Sequence, residues 1–114
     1  MASSRALAAL EVLAHLTNIQ DPESFCITVF DVPDNSVEEV ERELLPKNWN
    51  SYPSPSSLRK RGDAFAKANQ ALLLKVPSAI VEDEYNYILN VQHPFASKVK
   101  IVELKPFLFD KRLH

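Results

Sequence analysis

One glycine, Gly62, against eight prolines in 114 residues narrows what this chain can fold into and which chemistry it can carry. A phosphate-binding P-loop needs two spaced glycines ahead of Lys-Ser/Thr, and a dinucleotide fingerprint needs three. Gly62 alone satisfies neither. Any nucleotide held here is held without a glycine-rich cradle. The prolines mark boundaries, because each fixes φ and removes a backbone donor. Pro46 ends an apolar-periodic segment, Pro77 ends an apolar run, and Pro106 points to an edge position in a strand.

The length fits one domain, residues 1–114, burying roughly two-thirds of its unfolded surface. Apolar residues make up 46% and charged residues 25%, so the chain is globular rather than disordered. The net charge is −2, and no basic excess favours direct nucleic-acid binding. The one basic cluster, Arg59-Lys60-Arg61, reads as a solvated helix face. Cys26 has no cysteine to pair with and sits in an apolar run, so it reads as a small core residue in a reducing, cytoplasmic compartment. The N-terminal apolar stretch is interrupted by Glu11 and His15. It is too short for a bilayer and carries no cleavage signal, so no membrane role is expected. The three histidines lack metal-ligand spacing, and no metal is expected.

Residues 4–16 read as a helix with apolar residues all round, hence a core helix, with Glu11 and His15 sharing one edge. Residues 25–32, FCITVFDV, read as an interior strand. Pro33-Asp34-Asn35 is turn chemistry. Ser36 with Glu39 fits a capping box for a helix whose face is Val37, Val40 and Leu44 and whose exposed side is the acidic stretch Glu38 to Glu43. Residues 46–57 form a loop that Trp49 and Tyr52 pin to the core. A further helix begins at Ser54-Pro55 or Ser56 and runs to about Asn69, with Leu58 and Phe65 inward. Ala71 to Val76 is a strand, and Asp83 to Asn90 a turn or short helix. From Lys98 an alternation puts Val99, Ile101 and Leu104 inward. Its phase slips at Val102, which predicts a bulge. The order predicts an α+β fold.

The segment after Val76 carries the chemistry. Glu11 on an apolar helix is costly to bury without a partner. Either it faces a pocket, where it stabilises positive charge or activates a nucleophile, or it pairs with His15 or a surface cation. Ser78 either binds a ligand or caps the turn after the strand; no nucleophile-elbow motif surrounds it. Asn86, Asn90 and His93 either bind polar substrate atoms or cap turns. His15 is a hydrogen-bonded core histidine or a catalytic one.

Taken in order, several segments resemble the RES domain family, named for an Arg, a Glu and a Ser. ALAALEVLAHL (6–16) is similar to the family helix that carries the Glu, which falls at Glu11. LLPKNWNSYP (44–53) is similar to its Leu-Pro-x-x-Trp segment. RGDAFAKANQALLLKVPSAIVEDEYNYILNVQHP (61–94) is similar to its signature, with the Ser at Ser78, and FLFDKRL (107–113) fits its ending. The resemblance covers nearly the whole chain. It implies an ADP-ribosyltransferase-like fold with a small mixed sheet and packed helices. It also implies a toxin of a bacterial type II toxin–antitoxin system, with NAD as substrate. Such a toxin cleaves the nicotinamide–ribose bond using water or phosphate, and an Xre-type helix-turn-helix antitoxin blocks the site. On this resemblance Glu11 and Ser78 are the catalytic pair, and His15, Asn86 and Asn90 line the NAD side. Family members carry an Arg-containing strand and a Tyr ahead of the Glu helix. Met1 lies ten residues before Glu11, and Arg5 is at the wrong distance to be that Arg. The expectation is therefore an N-terminally truncated RES-like domain. Its alternative role is that of an inactive module that binds an antitoxin or forms a homodimer through an open sheet edge.

Overall fold

A computed structural model describes residues 1–15, 25–33, 35–53 and 55–113. Leu16, Asp34, Ser54 and His114, which entered the expectations above, lie outside the described residues. In chain order the elements are α1 (Arg5–His15), β1 (Phe25–Asp31), β2 (Val37–Glu39), α2 (Ser56–Ala68), β3 (Leu73–Pro77), β4 (Tyr85–Leu89) and β5 (Lys100–Phe107). Short 3-10 turns occupy Arg42–Leu44, Pro94–Lys98 and Lys111–Leu113. The fold is α+β, as the sequence predicts.

β2, β3 and β4 form a mixed sheet, with β2 parallel and β4 antiparallel to the central β3. Leu72, Leu73 and Leu74, at the start of β3, are almost wholly buried. Parallel neighbours need a crossover, and α2 supplies it. Phe65 of α2 packs with Ala71 and Leu74, and Val40 and Val76 complete that core. Asn69 ends α2 in the left-handed region, at φ 52, where Asn is tolerated. Gly62 lies inside α2, and a Cβ there would meet nothing within 4 Å. The one glycine therefore serves no close backbone approach.

Several elements differ from expectation. Ser36 caps no helix: its carbonyl accepts from Leu72 N and Leu73 N at 3.1 and 3.0 Å, and its Oγ accepts from Leu72 N at 3.0 Å. These bonds tie the following residues into the ladder as β2, so a buried strand outcompetes a weak local helix signal. The acidic stretch is accordingly strand and 3-10 turn, and Glu38 pairs with Arg61 at 2.8 Å rather than both facing only water. Residues 85–89 are strand β4, not a helix. The chain reverses through Ser78–Glu84 with Asp83 at φ 65, and a segment carrying Tyr85, Tyr87 and Ile88, residue types that favour strands, then pairs with β3.

β1 is not interior. It pairs only with β5, in a two-stranded ribbon. The bulge falls where the alternation slips: Val29 pairs with Glu103 and Phe30 with Ile101, which leaves Val102 unpaired. The inward assignment holds for half-buried Val99 and fails for the other two, however. Ile101 and Leu104 are more than 60% exposed, and Cys26 on the same face is exposed rather than core. At one end Phe109 is buried, with Phe25 and Phe107 edge-on to it at 5.0 and 4.9 Å.

α1 is capped by Ser4, whose Oγ accepts from Leu7 N at 3.1 Å. It is not a core helix on all sides. Leu7 is buried, while Leu10 and Val12 are exposed. Trp49 is half-buried, but Tyr52 does not pin its loop to the core and stands open to solvent.

Candidate active site

β3 ends at Pro77, which places Ser78 at the mouth of the turn into β4 with only 3% of its surface exposed. Ser78 Oγ accepts from Ile80 N and Val81 N, both at 3.1 Å, and so closes the turn. Its own proton goes to Glu11 Oε1 at 2.7 Å. Ser78 is thus both the turn cap and a partner of the carboxylate. Asn86 stands opposite Val76 in the ladder, and its Nδ2 donates to the same Oε1 at 2.7 Å.

Glu11 therefore takes neither of its simpler partners, His15 or a surface cation. Two neutral donors from β4 and the β3 end converge on one oxygen of a half-buried carboxylate. Bonds of a donor to an ionised acceptor are short and directional. They fix the plane of the carboxylate, while Oε2 receives no hydrogen bond from the described residues. A fixed anion with one committed and one open oxygen can stabilise positive charge developing beside it.

This carboxylate lines a cavity of about 540 Å³ together with Met1, Ala2, Ala8, Val12, His15 and Asn86. The N-terminal segment forms one wall: Tyr87 N donates to Met1 O at 2.6 Å, and Ala2 bridges Asn86. Met1, Ala2 and Ala8 also line a larger cavity, of about 800 Å³, between β1 and the sheet face bearing Lys75 and Tyr87. An extended ligand at Glu11 thus has open space on both sides of the N-terminal segment.

The structure brings Glu11, Ser78, Asn86 and His15 together. It does not bring Asn90 to them. Four residues along a strand span about 13 Å, and at that far end Asn90 is buried, with its Nδ2 donating to Asn69 Oδ1 at 2.6 Å. His93 is also elsewhere: its Nδ1 accepts from Phe95 N at 3.0 Å and caps a 3-10 turn. Tyr52 is the addition. Its ring lies 5.5 Å from that of His15, a proximity that no local pattern signals. Among the described residues no three His, Cys, Asp or Glu side chains gather as metal ligands, and no helix is long and apolar enough to cross a membrane.

The RES domain family model matches residues 1–110. The chain is 35% identical to a "Prs ADP-ribosylating toxin" of Sphingobium sp., over 98% of this chain and 71% of the relative. It is 32% identical to a "Toxin Res" of Yersinia enterocolitica, over 99% and 75% of the two chains. A "Toxin Res" of Pseudomonas putida is 38% identical, over 93% of this chain and 72% of its own length. With the family model spanning all but the last four residues, and relatives matched along almost the whole chain, this protein belongs to the RES domain family.

Proposed function

We propose that this chain is a RES toxin domain that cleaves the nicotinamide–ribose bond of NAD, with Glu11 as the carboxylate that stabilises the transition state. One observation carries the reading: Ser78 Oγ and Asn86 Nδ2 hold Glu11 Oε1 at 2.7 Å each, in a carboxylate that lines the cavity and whose Oε2 takes no hydrogen bond from the described residues. Cleavage of an N-glycosidic bond passes through an oxocarbenium-like state, as in glycoside hydrolysis. The C1′–N bond breaks, and nicotinamide leaves as a neutral base with the bonding pair. Positive charge spreads over C1′ and the ring oxygen, where the fixed carboxylate stabilises it more than it stabilises the ground state. An oxygen of water or phosphate then bonds to C1′ and releases its proton. Ser78 and Asn86 act through Glu11 as positioning residues, and His15 offers a ring nitrogen to a polar substrate atom. The partner in this reading is an Xre-type antitoxin that covers the cavity in the cytoplasm.

The resemblance to a protein named an ADP-ribosylating toxin favours one variant, in which a protein side chain replaces water as acceptor. The bond broken is the same. The exposed apolar face of the ribbon favours a separate, non-catalytic role in association with an antitoxin or a second copy.

Nicotinamide release from NAD tests the reading. The intact protein should release it with water, phosphate or a protein acceptor present. Glu11→Gln should slow release roughly 10²–10³-fold, and Asn86→Ala about 10–100-fold, the value of a hydrogen bond to a charged group. NAD left intact by the unaltered protein under all three conditions overturns the proposal. Release unchanged in Glu11→Gln removes Glu11 from the mechanism.

A further inference from the structure

We propose that Tyr52 is a specificity-determining residue that receives the positively charged nicotinamide ring of the oxidised dinucleotide. The inference rests on the NAD-cleaving reading above and adds a discrimination that Glu11 and Ser78 do not supply.

Tyr52 is 83% exposed, an uncommon state for a side chain whose ring favours burial. The turns that lead into it are closed by hydrogen bonds. Trp49 N donates to Pro46 O at 3.0 Å, and both the N–H and the Oγ–H of Ser51 donate to Asn48 O, at 3.0 and 2.7 Å. These turns deliver Tyr52 beside His15, with ring centroids 5.5 Å apart and planes tilted by 55°. His15 lines the Glu11 cavity one helical turn beyond the carboxylate, and i,i+4 side chains on a helix are neighbours. A solvent-facing aromatic ring therefore stands at the His15 edge of the site.

The scissile bond must lie beside Glu11, and the flat group nearest to it is the nicotinamide ring itself. In the oxidised dinucleotide that ring is an N-alkylpyridinium cation; in the reduced form it is neutral. A cation over a tyrosine face is attracted by the ring quadrupole. The attraction fades as the C1′–N bond breaks and the leaving base becomes neutral. It therefore belongs to ground-state binding: removing it raises KM without slowing the chemical step. Adenine, also flat, is neutral, and a platform selecting it would treat both redox forms alike.

Calorimetric titration of Glu11→Gln, in which turnover is slowed roughly 10²–10³-fold, separates these outcomes. The ligands are oxidised dinucleotide, reduced dinucleotide and ADP-ribose. Adding Tyr52→Ala should weaken the oxidised form about 3- to 30-fold and leave the other two within about twofold. Tyr52→Trp should restore it. In the otherwise unaltered protein, Tyr52→Ala should raise KM and leave kcat no lower, because the lost attraction is weaker in the transition state than in the ground state. Unchanged affinity for the oxidised form, or equal loss for all three ligands, overturns the role of Tyr52 and leaves the NAD-cleaving reading standing. No binding of oxidised dinucleotide by Glu11→Gln, together with no turnover by the unaltered protein, overturns both.

Discussion

The β3–β4 hairpin and the β1–β5 ribbon are both antiparallel pairs rich in apolar residues, and they have opposite fates. Leu72 and Leu74 are 0% and 1% exposed, whereas Ile101 and Leu104 are 62% and 61% exposed. Strand composition does not separate them. β3 has a neighbour on each edge and the α2 core over one face. β1 and β5 have only each other, and the face bearing Cys26, Phe30, Ile101 and Leu104 is open. Burial comes from what is stacked on a strand, so period-2 alternation marks a face without saying which face is covered. The candidate site stands on the covered hairpin, where Ser78 and Asn86 have fixed backbones from which to hold Glu11.

The sharpest way to break this contrast is a core truncation in the hairpin. Leu74→Ala should lower stability by about 2–5 kcal/mol, read as a shift of the urea midpoint at constant slope. A loss under 1 kcal/mol would mean that the hairpin is no better packed than the ribbon.

Next in size is Ser78→Ala, which removes the acceptor of two turn N–H groups as well as the donor to Glu11. It should cost about 1–3 kcal/mol and loosen the 79–82 turn in amide exchange. Ser78→Thr, which keeps the hydroxyl, should recover most of that protection. Protection unaltered in the alanine variant would show that the turn holds without the side chain.

The smallest effect is expected in the ribbon. Leu104→Ser should change stability by no more than about 0.5 kcal/mol, as surface substitutions do. A loss comparable to that of Leu74→Ala, accompanied by a fall in apparent mass on light scattering, would show that this face is buried against a second copy in solution.

Several features were legible from residue pattern alone. The apolar run before Pro77-Ser78, the α2 face carrying Phe65 and the slipped phase at Val102 all depend on neighbours close in sequence, and all appear where expected. The failures have a common cause. Ser36 to Glu39 satisfies a local helix signal, and residues 85–89 are short enough to suit either period, but pairing with β3 decided both. A helix would set Asn86 and Asn90 side by side, since i and i+4 neighbour each other on a helix. On a strand the same spacing carries them to opposite ends, and only Asn86 reaches Glu11. An aromatic ring in a long loop leads one to expect that Tyr52 pins the loop to the core. Its position beside His15 depends on a loop path that no periodicity encodes.

The sequence by itself determined that no glycine-rich cradle exists, that an apolar strand ends at Pro77-Ser78 and that a carboxylate stands on an otherwise apolar helix. Only the tertiary structure decided what that carboxylate meets. Ser78 and Asn86 lie 67 and 75 residues from Glu11 along the chain. Hydrophobic period is a property of neighbours. The partner of a charged oxygen is set by how α1 lies against the β3–β4 turn, and that depends on the packing of the whole domain.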